Sequence, residues 1–174
     1  MRRWCEDLVA DLFQRSERGE HAEVRTLLEG VVAATDLESD ERALLQNNLA
    51  WTLLETGEPR RAIALARATL DGLRREDRRL ASTLRGTIGC ALAACGEPEE
   101  AIDLLDDVMA RDRSQDLWLV SARLYYRGIA LSELGRGDEA LAAWEMAHEV
   151  QPHGLYGQRA HECLLRHQSG SPYR

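Results

Sequence analysis

The stretch LAWTLLETGEPRRAI occupies residues 49–63, and two similar stretches follow it at intervals of thirty-nine residues. They are IGCALAACGEPEEAI at 88–102 and RGIALSELGRGDEAL at 127–141. Each copy carries a glycine near its middle and an alanine five residues later. A glycine that ends one helix in the left-handed conformation, followed by a small residue where the next helix packs closely, is typical of a helix–turn–helix unit. The spacing therefore predicts a protein built from stacked helical repeats.

The repeated positions resemble those of tetratricopeptide repeats (TPR). In the frame of that family, a small residue precedes each turn glycine by seven positions and a second small residue follows it. The residues in these positions are Ala50, Gly57 and Ala62, then Gly89, Gly96 and Ala101, then Gly128, Gly135 and Ala140. Trp144, Ala147 and Pro152 fit the aromatic, small and proline positions that come next. The period exceeds the 34 residues of the family by five, which predicts a longer first helix in each pair.

The resemblance implies an all-α, right-handed α-solenoid of four helix pairs plus a C-terminal capping helix. We expect a single domain over 1–168, with a degenerate first repeat at about 1–38 that turns at Gly19. The remaining segments are repeats at 39–77, 78–116 and 117–155, a capping helix at 156–168 and a frayed tail at 169–174. Ser39 and Ser114 are predicted N-caps of two first helices. Leu164 and Leu165 are predicted to pack inward from the capping helix.

Composition indicates a bacterial, cytoplasmic protein. All 22 basic residues are arginine, which suggests a genome rich in G and C. Acidic residues occur near the start of the sequence, before any long apolar segment, so neither a signal peptide nor a membrane span is expected. The four cysteines lack the paired spacing of disulfide or zinc motifs and are expected to be free thiols.

The net charge of −8 is distributed in bands. Residues 1–58 carry 13 acids and 6 arginines, 59–96 carry 3 acids and 8 arginines, and 97–116 carry 8 acids and 2 arginines. Such bands are either solvated helix faces with local ion pairs or surfaces through which copies of the chain associate. The acidic total argues against nucleic-acid binding.

By resemblance to the family, the first helix of each pair lines a concave groove that binds a peptide or a protein segment. The frame places the following residues of the first repeat and of the start of the second in the groove: Glu6, Val9, Ala10, Phe13, Ser16, Glu17 and Leu44. The candidate peptide-binding residues further along are Asn47, Asn48, Trp51, Glu55, Thr83, Thr87, Cys90, Tyr125, Tyr126, Ile129 and Glu133.

These residue types favour a ligand with apolar and basic side chains. Asparagine amides donate and accept hydrogen bonds, as required to hold the backbone of an extended peptide. Trp51, Tyr125 and Tyr126 offer flat anchors, and Glu55 and Glu133 belong to a line of carboxylates. The alternative for the aromatic side chains is packing against a neighbouring helix, and for the glutamates it is ordinary solvation.

Enzymatic motifs are absent from the sequence, which has no phosphate-binding glycine loop, no nucleophile motif and no His-Glu-x-x-His. His153, His161, Cys163 and His167 cluster near the C-terminus, but His161 and Cys163 lie about 200 degrees apart on a helix. We therefore expect no metal, no cofactor and no enzyme activity. The predicted function is that of a protein-binding adaptor in bacterial signalling, and the alternative is a scaffold that self-associates through its C-terminal helix or charge bands. A tail carrying Tyr173 and Arg174 is a further candidate occupant of the groove.

Overall fold

The computed structural model describes residues 2–33, 36–74, 77–111 and 116–168, and every regular element in these ranges is an α-helix. The helices are α1 (Arg3–Glu17), α2 (His21–Ala33), α3 (Ser39–Glu55), α4 (Pro59–Asp71), α5 (Arg78–Ala94), α6 (Pro98–Arg111), α7 (Leu117–Glu133), α8 (Gly137–Val150) and α9 (Leu155–Gln168). The predicted all-helical fold class is confirmed. The chain forms two compact units, Met1–Ala91 and Leu92–Arg174, and each is described by itself.

The predicted glycine turns are confirmed. Gly19, Gly57, Gly96 and Gly135 are the positive-φ residues of the described chain, with φ between 72° and 81°. At Gly57 the N–H of Glu58 donates to Leu53 O at 2.8 Å and the N–H of Gly57 donates to Leu54 O at 3.1 Å. This pair of bonds is a Schellman motif, which satisfies the last carbonyls of α3 and reverses the chain. As the sequence predicts, α4 and α6 then begin at Pro59 and Pro98.

The first unit is held together by packing of α2 on α3 and of α3 on α4. Ala50 of α3 and Ala62 of α4 have no exposed surface, and their small side chains allow the two helices to pack closely. A buried hydrogen bond joins α3 to α5, in which Thr87 Oγ1 donates to Asn47 Oδ1 at 2.9 Å. Thr87 Oγ1 also lies 3.2 Å from Thr83 O, so loss of Thr87 would deprive buried Asn47 Oδ1 of this donor, whereas Thr87 would keep an acceptor within its own helix.

An ion pair fastens the chain before α1 to the beginning of α3. Arg2 Nη2 lies 2.5 Å from Glu41 Oε2, and the backbone N–H of Arg2 donates to Glu41 Oε1 at 2.9 Å. Glu41 also accepts a hydrogen bond from the N–H of Glu38 at 3.2 Å. Glu38 is the N-cap of α3, and the prediction of Ser39 as the cap is wrong by one residue. The predicted cap Ser114 lies outside the described residues.

We expect the stability of the first unit to depend on pH through Glu41. Its hydrogen bonds with Arg2 lower the pKa of the carboxyl from 4.5 to about 2. Since the folded-state pKa is depressed, the contribution to stability is present above about pH 4.5 and is lost as the pH falls towards 2. Urea unfolding of the wild type and of Glu41→Gln checks this expectation. The variant should have a lower free energy of unfolding than the wild type at neutral pH, and this difference should shrink as the pH falls from about 4.5 towards 2. A difference that stays constant over this range would contradict the assignment of the pH dependence to Glu41.

In the second unit, α8 packs on α7 through a fully buried tryptophan. The indole Nε1 of Trp144 donates to the carbonyl oxygen of Tyr125 at 3.2 Å. A Cβ at Gly128 would lie 2.8 Å from Trp144 Cε2, so glycine at this small position of the repeat leaves room for the indole ring. Ser121 adds a buried hydrogen bond from its Oγ to Ala147 O at 2.9 Å. The positions of the repeat at 117–155 that resemble the family, Gly128, Trp144 and Ala147, are therefore packing positions.

Candidate functional site

A cleft of about 450 Å³ lies between α1 and α3 in the first unit. Its lining residues are Glu6, Val9, Ala10, Phe13, Gln14 and Leu44. Most of the lining is apolar, and the Phe13 side chain is 43% exposed. An open apolar recess of this kind suits side chains of a partner, which gain free energy as they leave water.

Helical spacing explains why these residues meet. Glu6, Val9, Ala10 and Phe13 recur at intervals of three and four, which places them on one stripe of α1. An adjacent face of α1, about 100 degrees around the helix, carries Cys5 and Leu12, both buried. The structure thus brings together five of the residues that the repeat frame places in the groove, and adds Gln14.

Further along α3, the candidate residues divide between the surface and the interior. Asn48 is half-buried, and its Nδ2 donates to Leu44 O at 2.9 Å. Asn47 is only 7% exposed and its side-chain oxygen is engaged by Thr87. Trp51 is also buried, so its ring packs within the unit, which was the alternative considered for it.

The α5 candidates and Glu55 contribute little open surface. Thr87 and Cys90 are buried, whereas Thr83 is half-buried and donates its hydroxyl to Arg79 O at 3.1 Å. The Glu55 carboxylate is almost fully buried and lies 3.9 Å from His21 Nε2. Glu55 therefore faces the first turn of α2 rather than solvent.

In the second unit the tyrosines belong to an aromatic cluster. Tyr126 is buried and Tyr125 is half-buried, and their ring centroids lie 5.9 and 5.8 Å from that of Tyr156 in α9. Trp118 contacts Tyr156 edge-on at 5.3 Å. The α9 helix thus covers the face of α7 that carries both tyrosines. Of the other α7 candidates, Ile129 is half-buried and Glu133 is exposed.

Sequence reasoning missed the role of Tyr156. The prediction that Leu165 packs inward is wrong, since this side chain is 50% exposed, and Leu164 is half-buried. The inward stripe of α9 is instead Tyr156, Ala160 and Cys163, all buried. Their spacing of four and then three residues was the available signal, because it marks one face of a helix.

The C-terminal histidines and Cys163 do not assemble a metal site. Within the described ranges, no group of three or more His, Cys, Asp or Glu side chains is arranged to hold a metal ion. His161 instead stacks on His148, with ring centroids 4.7 Å apart, and His148 Nδ1 lies 3.1 Å from Gly157 O. Burial raises the pKa of the Cys163 thiol, which keeps it protonated.

The carboxylates near the cleft differ in their partners. Asp11 and Glu20 bind Arg15 and Arg18 at 2.7 and 2.6 Å. Among the described residues, Glu6 and Glu17 have no ion-pair partner, and both are exposed. Near the cleft these two carboxylates therefore carry negative charge that forms no ion pair with a cation of the described ranges.

Residues 42–76 match the family model described as Tetratricopeptide repeat. The matched stretch covers nearly all of α3, the Gly57 turn and α4. Comparison with curated proteins gives no match. Across the part of the chain that the structure describes, no helix is both long enough and apolar enough to cross a membrane.

Proposed function

We propose that this TPR-type repeat protein is a non-enzymatic module that binds a segment of another protein in the cleft between α1 and α3. TPR repeats generally mediate protein–protein interactions, and the family is generally non-enzymatic. The observation that carries the proposal is the open apolar cleft on the first helices of two successive repeats. A half-exposed aromatic ring in a recess is the usual form of an energetic anchor at a protein interface.

The candidate groove residues of the first unit differ in whether solvent reaches their side chains. Asn48 and Thr83 have exposed surface in the first unit and are proposed to contact the bound segment. Asn47, Trp51 and Thr87 are proposed to support the helices that carry them, since their side chains are buried.

The remaining candidates also divide into exposed and buried side chains. Among the α7 candidates, Tyr125, Ile129 and Glu133 have exposed surface, and we propose them as contacts of the second unit. Cys90, Glu55 and Tyr126 are proposed to act through packing. The setting we propose is a bacterial cytosolic signalling system, and the all-arginine basic complement supports the bacterial source.

Replacement of Phe13 by serine should weaken partner binding roughly thirtyfold without unfolding the chain. Phe13 is 43% exposed and is not part of the buried core, and loss of an aromatic anchor costs about 2 kcal/mol of binding free energy. The protein is used to capture partners from its native cytosol, and the captured partner is then purified and titrated against wild type and Phe13→Ser.

Leu27→Ser is the matched control, because Leu27 is 37% exposed on α2 and does not line the cleft. This variant should bind the partner as the wild type does. Equal affinity of all three proteins would show that the cleft is not the binding site.

A further inference from the structure

The cleft has a definite pattern of charge along α1. Glu6 and Glu17 are eleven residues apart, which is close to three full turns, so they lie on nearly the same side of the helix and about 16 Å apart along it. Val9, Ala10 and Phe13 lie between them on the same stripe. The stripe therefore has an acidic group at each end and an apolar middle.

The cations of this region do not neutralise these two acids. Arg15 and Arg18 are paired with Asp11 and Glu20, and Arg2 is paired with Glu41. Arg3 is exposed one turn before Glu6, and it does not line the cleft. A partner that supplies positive charge beside Glu6 in the cleft and beside Glu17, one turn beyond Phe13, would thus gain two ion pairs without displacing an existing one.

We infer that the cleft binds a cationic amphipathic helix, with an apolar anchor that packs on Phe13 and Leu44 and two basic side chains about three turns apart that reach Glu6 and Glu17. The inference rests on the proposed function and specifies its partner. A groove between two helices accommodates the ridge of a third, and helical ligands of this type present anchors at intervals of three and four residues. The negative charge at both ends opposes binding of nucleic acid or an anionic membrane.

The test uses synthetic helical peptides and the full chain. The probe is a fluorescein-labelled 18-residue helix with a leucine stripe and arginines at two positions eleven residues apart. A second peptide has glutamates in place of those arginines. Binding is followed by fluorescence anisotropy at low and at high salt.

Glu6→Gln and Glu17→Gln should each weaken binding of the cationic probe about threefold, and the double variant about tenfold, as expected for exposed ion pairs. Asp7→Asn is the matched control, because Asp7 is exposed on the same helix, has no ion-pair partner among the described residues and lies about 100 degrees from Glu6, away from the stripe. It should leave binding unchanged. Added salt should weaken binding to the wild type more than to the double variant.

Three results would overturn the inference. The first is binding that Asp7→Asn weakens as much as Glu6→Gln, which would indicate a response to net charge alone. The second is no binding of the cationic probe while a captured partner still depends on Phe13, in which case the proposed function stands and the partner chemistry is wrong. The third is concentration-dependent self-association that Phe13→Ser abolishes in sedimentation experiments, which would make a second copy of the chain the occupant. If neither the probe nor any captured partner depends on Phe13, the proposed function itself fails.

Discussion

Tyr156→Ala is expected to lower the free energy of unfolding of the second unit by about 3–5 kcal/mol, the usual cost of truncating a buried aromatic residue. Tyr156 has no exposed surface, and its ring contacts those of Trp118, Tyr125 and Tyr126. Its removal leaves a cavity at the centre of this cluster and takes away the principal contact of α9 with α7. Urea unfolding followed by circular dichroism and by tryptophan fluorescence measures the loss.

Tyr156→Phe is the matched control, because it keeps the ring and removes only the hydroxyl. We expect it to cost no more than about 1 kcal/mol, because a single hydroxyl group typically contributes no more than one hydrogen bond of that size. If Tyr156→Ala unfolds with the same free energy as Tyr156→Phe, the aromatic cluster does not hold α9 in place.

Gly157→Ala is expected to destabilise the same unit by about 2–3 kcal/mol, as overpacking of a filled site does. A Cβ at this position would overlap the carbonyl oxygen of Gln151 and lie 2.8 Å from its carbonyl carbon. Both are backbone atoms, so relief requires movement of the turn over 151–154 that leads into α9. Thermal unfolding and urea titration measure the loss.

Gly30→Ala makes the same chemical change, but it is expected to raise the free energy of unfolding instead of lowering it. Gly30 lies inside α2, and a Cβ there would have nothing within 4 Å. Because alanine loses less backbone entropy than glycine in a helix, this variant should be stabilised by about 0.5–1 kcal/mol. Destabilisation of equal size in both variants would show that the close approach at Gly157 is not the cause.

The turns and helix starts could be predicted because they depend on local chemistry. Gly57 adopts a positive φ and Pro59 begins a helix for reasons contained in a few neighbouring residues. The cap of α3 was placed one residue late, since Glu41 reaches both the N–H of Glu38 and the guanidinium of Arg2. That second contact crosses 39 residues of sequence, and no local pattern indicates it.

The candidate groove positions came from the frame of the repeat family, and the structure shows which of them reach the surface. Glu6, Val9 and Phe13 share one stripe of α1 at helical spacing, and that stripe lines the cleft. Asn47 and Trp51 share the predicted phase of the groove but are buried, because α5 and other parts of the unit pack against that side of α3. Phase specifies the direction of a side chain, and only the packed neighbours specify whether solvent reaches it.

The sequence by itself determined the helical repeat, the glycine turns and the grouping of Glu6, Val9 and Phe13 on one face of α1, since all three follow from backbone conformation and spacing within one segment. Only the tertiary structure decided that Arg2 binds Glu41, that Asn47 binds Thr87 and that Tyr156 covers the tyrosines of α7. These contacts join residues distant in sequence, and their formation depends on shape, burial and charge that arise only when the helices pack together.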